Sequence, residues 1–178
     1  MTQLKLQPTL QDDLVTIRPL TKEDFEPLFE AAKDPEIWEQ HTDDRYKKEV
    51  FAKFFDDSLK SGGALIVTDK ASDEVIGTSR YNPLPGTDTA TEIGWTFLAR
   101  KYWGGTYNKA VKTLLIDHAF KFYEDVLFYV DKENIRSQKA MKKIGGVRLS
   151  EDANYHKIRR DNQDFTFCIN KKDWKSNK

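Results

Sequence analysis

The chain has 178 residues, enough for one domain that buries a full core without covalent staples. Lys and Arg total 29 and Asp and Glu total 29, so the formal net charge is zero, which argues against a general nucleic-acid or membrane-surface binder. The single cysteine, Cys168, excludes an internal disulfide and points to a reducing, cytoplasmic setting.

The opening "MTQLKLQPTLQDDLV" lacks the apolar core of a signal peptide, and no apolar run approaches the length of a membrane span. No metal cluster, repeat or linker is visible. "LVTIRPL" (Leu14 to Leu20) alternates apolar and polar residues and is expected to be a half-buried strand. Thr21 and Asp24 have the spacing of a capping box, and Phe25, Leu28, Phe29 and Ala32 follow at helical spacing. Pro27 falls inside that helix and is expected to strain or kink it. "DRYKKEVFAKFFDDSLKSGG" predicts a second helix that buries Val50, Phe51, Phe54, Phe55 and Leu59 and ends at Gly62-Gly63. "ALIVTDK" and "EVIGTSRYNP" flank the turn "ASD" as a hairpin, and "ATEIGWTFL" follows as the next strand. A helix from about Gly105 to Tyr123 carries Tyr107, Ala110, Val111, Leu114, Leu115, His118, Ala119 and Phe122 on one face. "VLFYVD" reads as a central strand, and Asn134 to Ile144 as a helix stopped by Gly145-Gly146. "VRLSE" and "DFTFCIN" close the chain as strands. This order predicts an α/β fold built on a mixed sheet with at least one parallel crossover.

Within "RKYWGGTYNKAV", Gly104 and Gly105 follow a strand and open a helix. The first turn of a helix presents unpaired N–H groups and a partial positive charge. Glycines there let a phosphate approach without a Cβ in the way, so this turn is either an anion site or simply a tight loop. A P-loop is excluded, because no Gly-Lys-Ser/Thr follows, and so is the dinucleotide fingerprint, because its glycine spacing is missing.

Taken together, "EIGWTFLARKYWGGTYNKAVKTLLIDHAF" and "VDKENIRSQKAMKKIGGVRL" resemble the GCN5-related N-acetyltransferase (GNAT) family. The closer likeness is to the branch that acetylates N-terminal amines of ribosomal proteins and related small amines. The resemblance runs from about Leu14 to Trp174, within a single domain over residues 1–178, and is strongest from Glu92 to Val147. It implies a central mixed sheet of about six to seven strands, flanked by helices on both faces, with a V-shaped splay between the fourth and fifth strands. It also implies acetyl-CoA as the acyl donor. The family's pyrophosphate loop falls on Lys101, Gly104 and Thr106, with backbone donors from Gly104 through Gly105, Thr106, Tyr107 and Asn108. The backbone around Phe97 and Leu98 would bond the pantetheine arm in the manner of an added strand. Asn134 matches the family's helix-opening Asn, whose other role is an N-cap. Arg136 would face the CoA phosphates or remain solvated. Met141 stands where many relatives carry a Tyr that protonates the departing thiolate, and Met cannot donate a proton. Ser137 occupies the place of the serine proposed as the acid in the ribosomal-protein branch, and a structural helix hydroxyl is its other reading.

Acetyl transfer to an amine also needs a proton acceptor, since a protonated amine cannot attack. Glu92 alternates with Gly94 and Thr96 on the strand that leads to the glycine turn, so it lies either in a cleft or on an exposed sheet face. His156 is a second candidate base. His118, on an apolar helix face, is expected to be a core histidine with a backbone partner. Cys168 has no evident base beside it to support an acyl relay. Trp38, His41, Tyr81, Trp95 and Tyr155 are candidate walls for the acceptor. The expected activity is acetyl-CoA-dependent N-acetylation of a peptide or small-molecule primary amine, by a monomer or homodimer. Two rivals stand beside it: a CoA-binding module that no longer transfers acetyl groups, suggested by the departures at Lys101, Thr106 and Gly146, and an interaction protein docking through the basic run "HKIRR".

Overall fold

The computed structural model describes residues 5–151, 153–158 and 164–176. Its elements run β1 (Leu10–Gln11), β2 (Val15–Pro19), α1 (Phe25–Ala32), α2 (Lys48–Lys60), β3 (Ala64–Asp69), β4 (Val75–Pro83), β5 (Ala90–Leu98), α3 (Thr106–Ala119), β6 (Asp125–Asp131), α4 (Ile135–Lys143), β7 (Val147–Arg148), α5 (Asn154–Ile158), β8 (Asp164–Asn170) and α6 (Lys171–Ser176). The strands form one eight-stranded sheet in the order β1-β2-β3-β4-β5-β6-β8-β7. The strand beyond the expected count is β1, whose two residues are too few to show a period.

Alternation along β3 explains why helices cover both faces. Ala64 and Ile66 join the core that α1 and α2 supply with Leu28, Phe51, Phe54 and Phe55. Leu65 and Val67 point the other way, to Val111, Leu115 and Ile116 of α3. The Thr21–Asp24 capping box forms, and Asp24 also takes both terminal nitrogens of Arg18, at 2.7 and 2.8 Å. Pro27 does not interrupt α1, which runs unbroken from Phe25 to Ala32. It lies in the first turn, where its missing N–H has no intrahelical partner to lose. In α3 the buried face is broader than the apolar stripe predicts, because Lys112 and Ile116 are buried as well.

Two features of β5 shape the site. Its parallel pairing with β6 covers only Ala90 to Glu92, opposite Asp125 to Leu127. β5 then continues to Leu98 and β6 to Asp131, unpaired with each other, so the two strands part as a V. On its other edge β5 carries a bulge: Thr78 faces Phe97 and Arg80 faces Gly94, so two β5 residues, Trp95 and Thr96, oppose Ser79 alone. Trp95 takes the bulge in the left-handed region, with φ of 51°, which is unusual for a bulky side chain.

Candidate active site

The V between β5 and β6 opens into a cleft of about 560 Å³. Glu92, Gly94, Trp95, Thr96 and Phe97 form one wall, Phe128 to Asp131 the opposite one, and Asn108 and Lys112 of α3 the end near the glycine turn. Asn134, Ser137 and Met141 enter from α4, and Trp38, His41 and Arg45 from the segment between α1 and α2.

Gly104 has φ of 74°, a conformation that favours glycine, and α3 starts right after Gly105 with no side-chain cap on its first N–H groups. The family's phosphate-loop expectation therefore meets a suitable backbone. The neighbouring side chains are engaged elsewhere. Lys101 Nζ pairs with Glu74 Oε2 at 2.6 Å, and Tyr107 donates to Asp69 Oδ1 at 2.8 Å. Thr106 is the first helical residue, and Asn108 lines the cleft. The carbonyl of Leu98 accepts from the Trp103 indole at 2.8 Å, so part of the Phe97–Leu98 backbone is already in use.

Asn134 caps α4, its side-chain oxygen accepting from the Ser137 N–H at 2.9 Å, and it is buried at the cleft edge. Arg136 stands differently from its expected phosphate role. Its guanidinium donates to the carbonyls of Ile37 at 2.6 Å and Glu36 at 3.4 Å and packs over Trp103 at 4.1 Å. It ties α4 to the 35–37 turn, and a phosphate contact would have to displace those bonds.

Glu92 is 2% exposed, so its exposed-face reading does not hold. Asn82 Nδ2 donates to its Oε2 at 2.7 Å, and Glu92 Oε1 comes within 3.1 Å of the Cβ that a side chain at Gly94 would add. Glycine at 94 keeps the space in front of the carboxylate open.

Lys112 is the site residue that sequence reasoning passed over. It is 3% exposed, donates from Nζ to Thr96 Oγ1 at 2.8 Å and lies 5.0 Å from the Phe128 ring centroid. Burial lowers its pKa to about 7. Charged residues on helices usually read as solvated, and the only available signal was its place next to Val111, one step off the apolar stripe. His41 packs edge-on to Trp38 at 5.3 Å; burial foremost, then the charges of Arg45 and Arg136, lower its pKa to about 4, so it is neutral at pH 7.

Of the other expected site residues, Trp38, His41 and Trp95 reach the cleft. Tyr81 does not: it is 1% exposed, its hydroxyl donating to the Leu115 carbonyl at 2.6 Å in the core. Tyr155 also packs outside the cleft, where its hydroxyl donates to Asp125 Oδ2 at 2.8 Å. The backbone of His156 belongs to α5, but its side chain lies outside the described residues, as does part of the "HKIRR" run. His118 is a core residue within 3.1 Å of the Lys5 carbonyl, as expected. Burial, with Asp125 close by, pushes the Cys168 thiol up to about 12, the opposite of an activated nucleophile. Among the described residues no cluster of His, Cys, Asp or Glu could hold a metal ion, and no helix is long and apolar enough to cross a membrane.

The acetyltransferase (GNAT) domain family matches residues 15–147 of the chain. The uncharacterized N-acetyltransferase p20 of Bacillus licheniformis is 29% identical over 118 residues, which span 63% of this chain and 66% of that protein. Among solved structures, a GCN5-related N-acetyltransferase from Brucella melitensis superposes with a TM-score of 0.77 at 18% identity, covering 95% of this chain and 81% of that one. A Vibrio cholerae protein provisionally named a ribosomal-protein-serine acetyltransferase superposes with a TM-score of 0.74 at 16% identity, covering 92% and 97%. At these identities the two structures speak to the fold.

Proposed function

Because the chain belongs to the acetyltransferase (GNAT) family, we propose that it moves an acetyl group from acetyl-CoA to a primary amine, on a peptide N-terminus or a small molecule, by direct attack on the thioester. The observation that carries this reading is the V between β5 and β6, which runs from the uncapped start of α3 to the buried carboxylate of Glu92.

The residues present fit the donor. Backbone N–H groups from Gly104 to Asn108 would receive the pyrophosphate, which the left-handed Gly104 leaves unobstructed. The β5 edge at Phe97, freed from β6, would take the pantetheine arm, with Asn134 opposite it on α4. When bound, the thioester supplies an activated acyl carbonyl; the protein's part is to hold and to move protons.

Glu92 takes the ammonium proton at a carboxylate oxygen, directly or through one water, and Asn82 fixes that carboxylate from the far side. As the new C–N bond replaces the C–S bond, the nitrogen gives up its second proton to solvent, and the sulfur receives a proton from the Ser137 hydroxyl, which solvent recharges. Met141 beside it contributes no proton. A cytoplasmic location agrees with a free thiol at Cys168.

The test is a free-thiol release assay with acetyl-CoA across peptide and small-amine acceptors, together with calorimetric titration of CoA. Saturable CoA binding with amine-dependent thiol release is expected. CoA binding without transfer to any amine would favour the non-catalytic module, and absent CoA binding would overturn both readings.

A further inference from the structure

A second cavity, of about 530 Å³, adjoins the cleft, and Arg45 and Trp95 line both. Two guanidinium groups face it. Arg80 from β4 lies 3.6 Å over the Trp95 ring centroid, and Arg45 lies 4.5 Å over that of Phe54. The Nε atoms of both arginines are buried and meet no acceptor in the protein. The remaining contacts leave them short of partners: Arg80 Nη1 reaches the Asp57 carbonyl at 3.4 Å, and Arg45 Nη2 reaches Asp43 at 3.1 Å.

The two Nε atoms have almost no accessible surface, so it is the Nη ends of the guanidinium groups that can meet an anion in the cavity. The carboxylates of Asp43, Glu49 and Asp57 also border the cavity, but these three residues are exposed and water can solvate them. Burial foremost lowers the Arg80 pKa to about 10, because the charged form loses hydration. Trp95, the platform under Arg80, is held in the left-handed bulge, the kind of backbone strain that gathers at ligand sites. On the cleft side of Trp95 stands Glu92, whose negative charge acts on Arg80. The two cavities therefore present a carboxylate to one end of a bound molecule and a pair of guanidinium groups to the other.

We propose that Arg45 and Arg80 bind an anionic group of the acceptor, so that the acceptor is a dipolar small molecule, an amine that also carries a carboxylate. This rests on the acetyl-transfer reading above. The amine sits towards Glu92, and the carboxylate accepts from Nη–H groups of Arg45 and Arg80 beside Trp95. Planar donors of this kind match a carboxylate better than a lysine ammonium does.

The test uses matched probes: glycine, β-alanine, γ-aminobutyrate and δ-aminovalerate, each beside its carboxamide, with aminoethylphosphonate as a phosphonate probe. Binding is followed by calorimetry on the CoA-loaded protein, and acetyl transfer by thiol release. At least one carboxylate is expected to bind about tenfold or more tightly than its carboxamide, the scale of a charge-assisted hydrogen bond. Arg80→Met should collapse that ratio. Arg80→Lys, which keeps the charge but lacks the planar guanidinium donors, should reduce it in a variant whose circular dichroism is native. A phosphonate preferred over every carboxylate would overturn the carboxylate assignment. Carboxylates and carboxamides bound or acetylated equally would overturn the inference while leaving acetyl transfer intact. Carboxylate-selective binding without transfer to any probe would support it and count instead against the proposed activity.

Discussion

Lys112 Nζ donates to Thr96 Oγ1 at 2.8 Å, linking the middle of α3 to the β5 wall of the cleft. The bond and the Phe128 ring only partly replace water around a side chain that is 3% exposed. Burial lowers the pKa to about 7, whereas an unfolded lysine titrates at about 10.4. Below the folded pKa both states are charged, and the burial penalty is present in full. Between about pH 7 and about 10.4 the unfolded chain binds the extra proton, so this group makes stability rise with pH, by up to about 1.4 kcal/mol per pH unit. Lys112→Met should therefore be more stable than the parent near pH 6, and the difference should shrink towards pH 10. Urea denaturation from pH 6 to pH 10 measures this, and a constant difference would place the ammonium in a better-solvated site.

Glu92→Gln should lower kcat by about a hundredfold, within the span of general-base effects, while CoA affinity stays near that of the parent. A glutamine keeps an oxygen that can accept from Asn82, so the 2.7 Å bond survives and folding should be little changed. Steady-state rates at several pH values, with calorimetry for CoA, separate the two effects. Turnover equal to the parent at neutral pH would move proton acceptance to another group.

The sheet is legible where a short period repeats, and several residues that line the cleft stand in the sequence motifs. β5 reads as Ala90 to Leu98 from its pattern and the turn before it, and it spans those residues. The bulge inside it was not legible: "EIGWTF" alternates straight through, and the extra residue exists only relative to β4. The burial of Lys112 and of Arg80 is hidden for a related reason. A lysine on a helix and an arginine on a strand carry no mark of burial, which here is imposed by the splayed neighbour β6 and by the covering segment around Arg45. Tyr81 was misjudged in the opposite sense. An aromatic on β4 reads as a candidate wall for the acceptor, yet Tyr81 lies in the core, where the Leu115 carbonyl satisfies its hydroxyl.

Gly104→Ala and Gly104→Asp should separate strain from charge at the helix start. A Cβ at Gly104 meets nothing within 4 Å, so the alanine costs only the left-handed backbone, about 1 kcal/mol of stability. Aspartate adds the same strain and a carboxylate where the pyrophosphate is proposed to lie. Calorimetry should show CoA affinity modestly reduced by alanine and lost with aspartate. Equal affinities for both variants would remove the phosphate from this turn.

Gly77→Ala tests how far the cleft depends on close backbone contact between β4 and β5. A Cβ at Gly77 would sit 2.0 Å from the Phe97 carbonyl oxygen and 2.9 Å from a Leu98 methyl. Neither the carbonyl nor the strand carrying it can swing aside cheaply, because Phe97 is packed edge-on against Trp38 at 5.0 Å. The substitution should cost about 3 kcal/mol, at the upper end of ordinary overpacking. It should also weaken CoA binding in whatever folded fraction remains, because β5 must move at the residue proposed to meet the pantetheine arm. Gly86→Ala is the matched control. Its φ of 80° brings backbone strain, but its Cβ would meet nothing within 4 Å, and it lies in the exposed β4–β5 turn. A loss of about 1 kcal/mol with CoA affinity retained is expected there. Chemical denaturation of both variants, each followed by CoA titration, checks the pair. If Gly77→Ala bound CoA as tightly as Gly86→Ala, the position of Phe97 would not set the donor site.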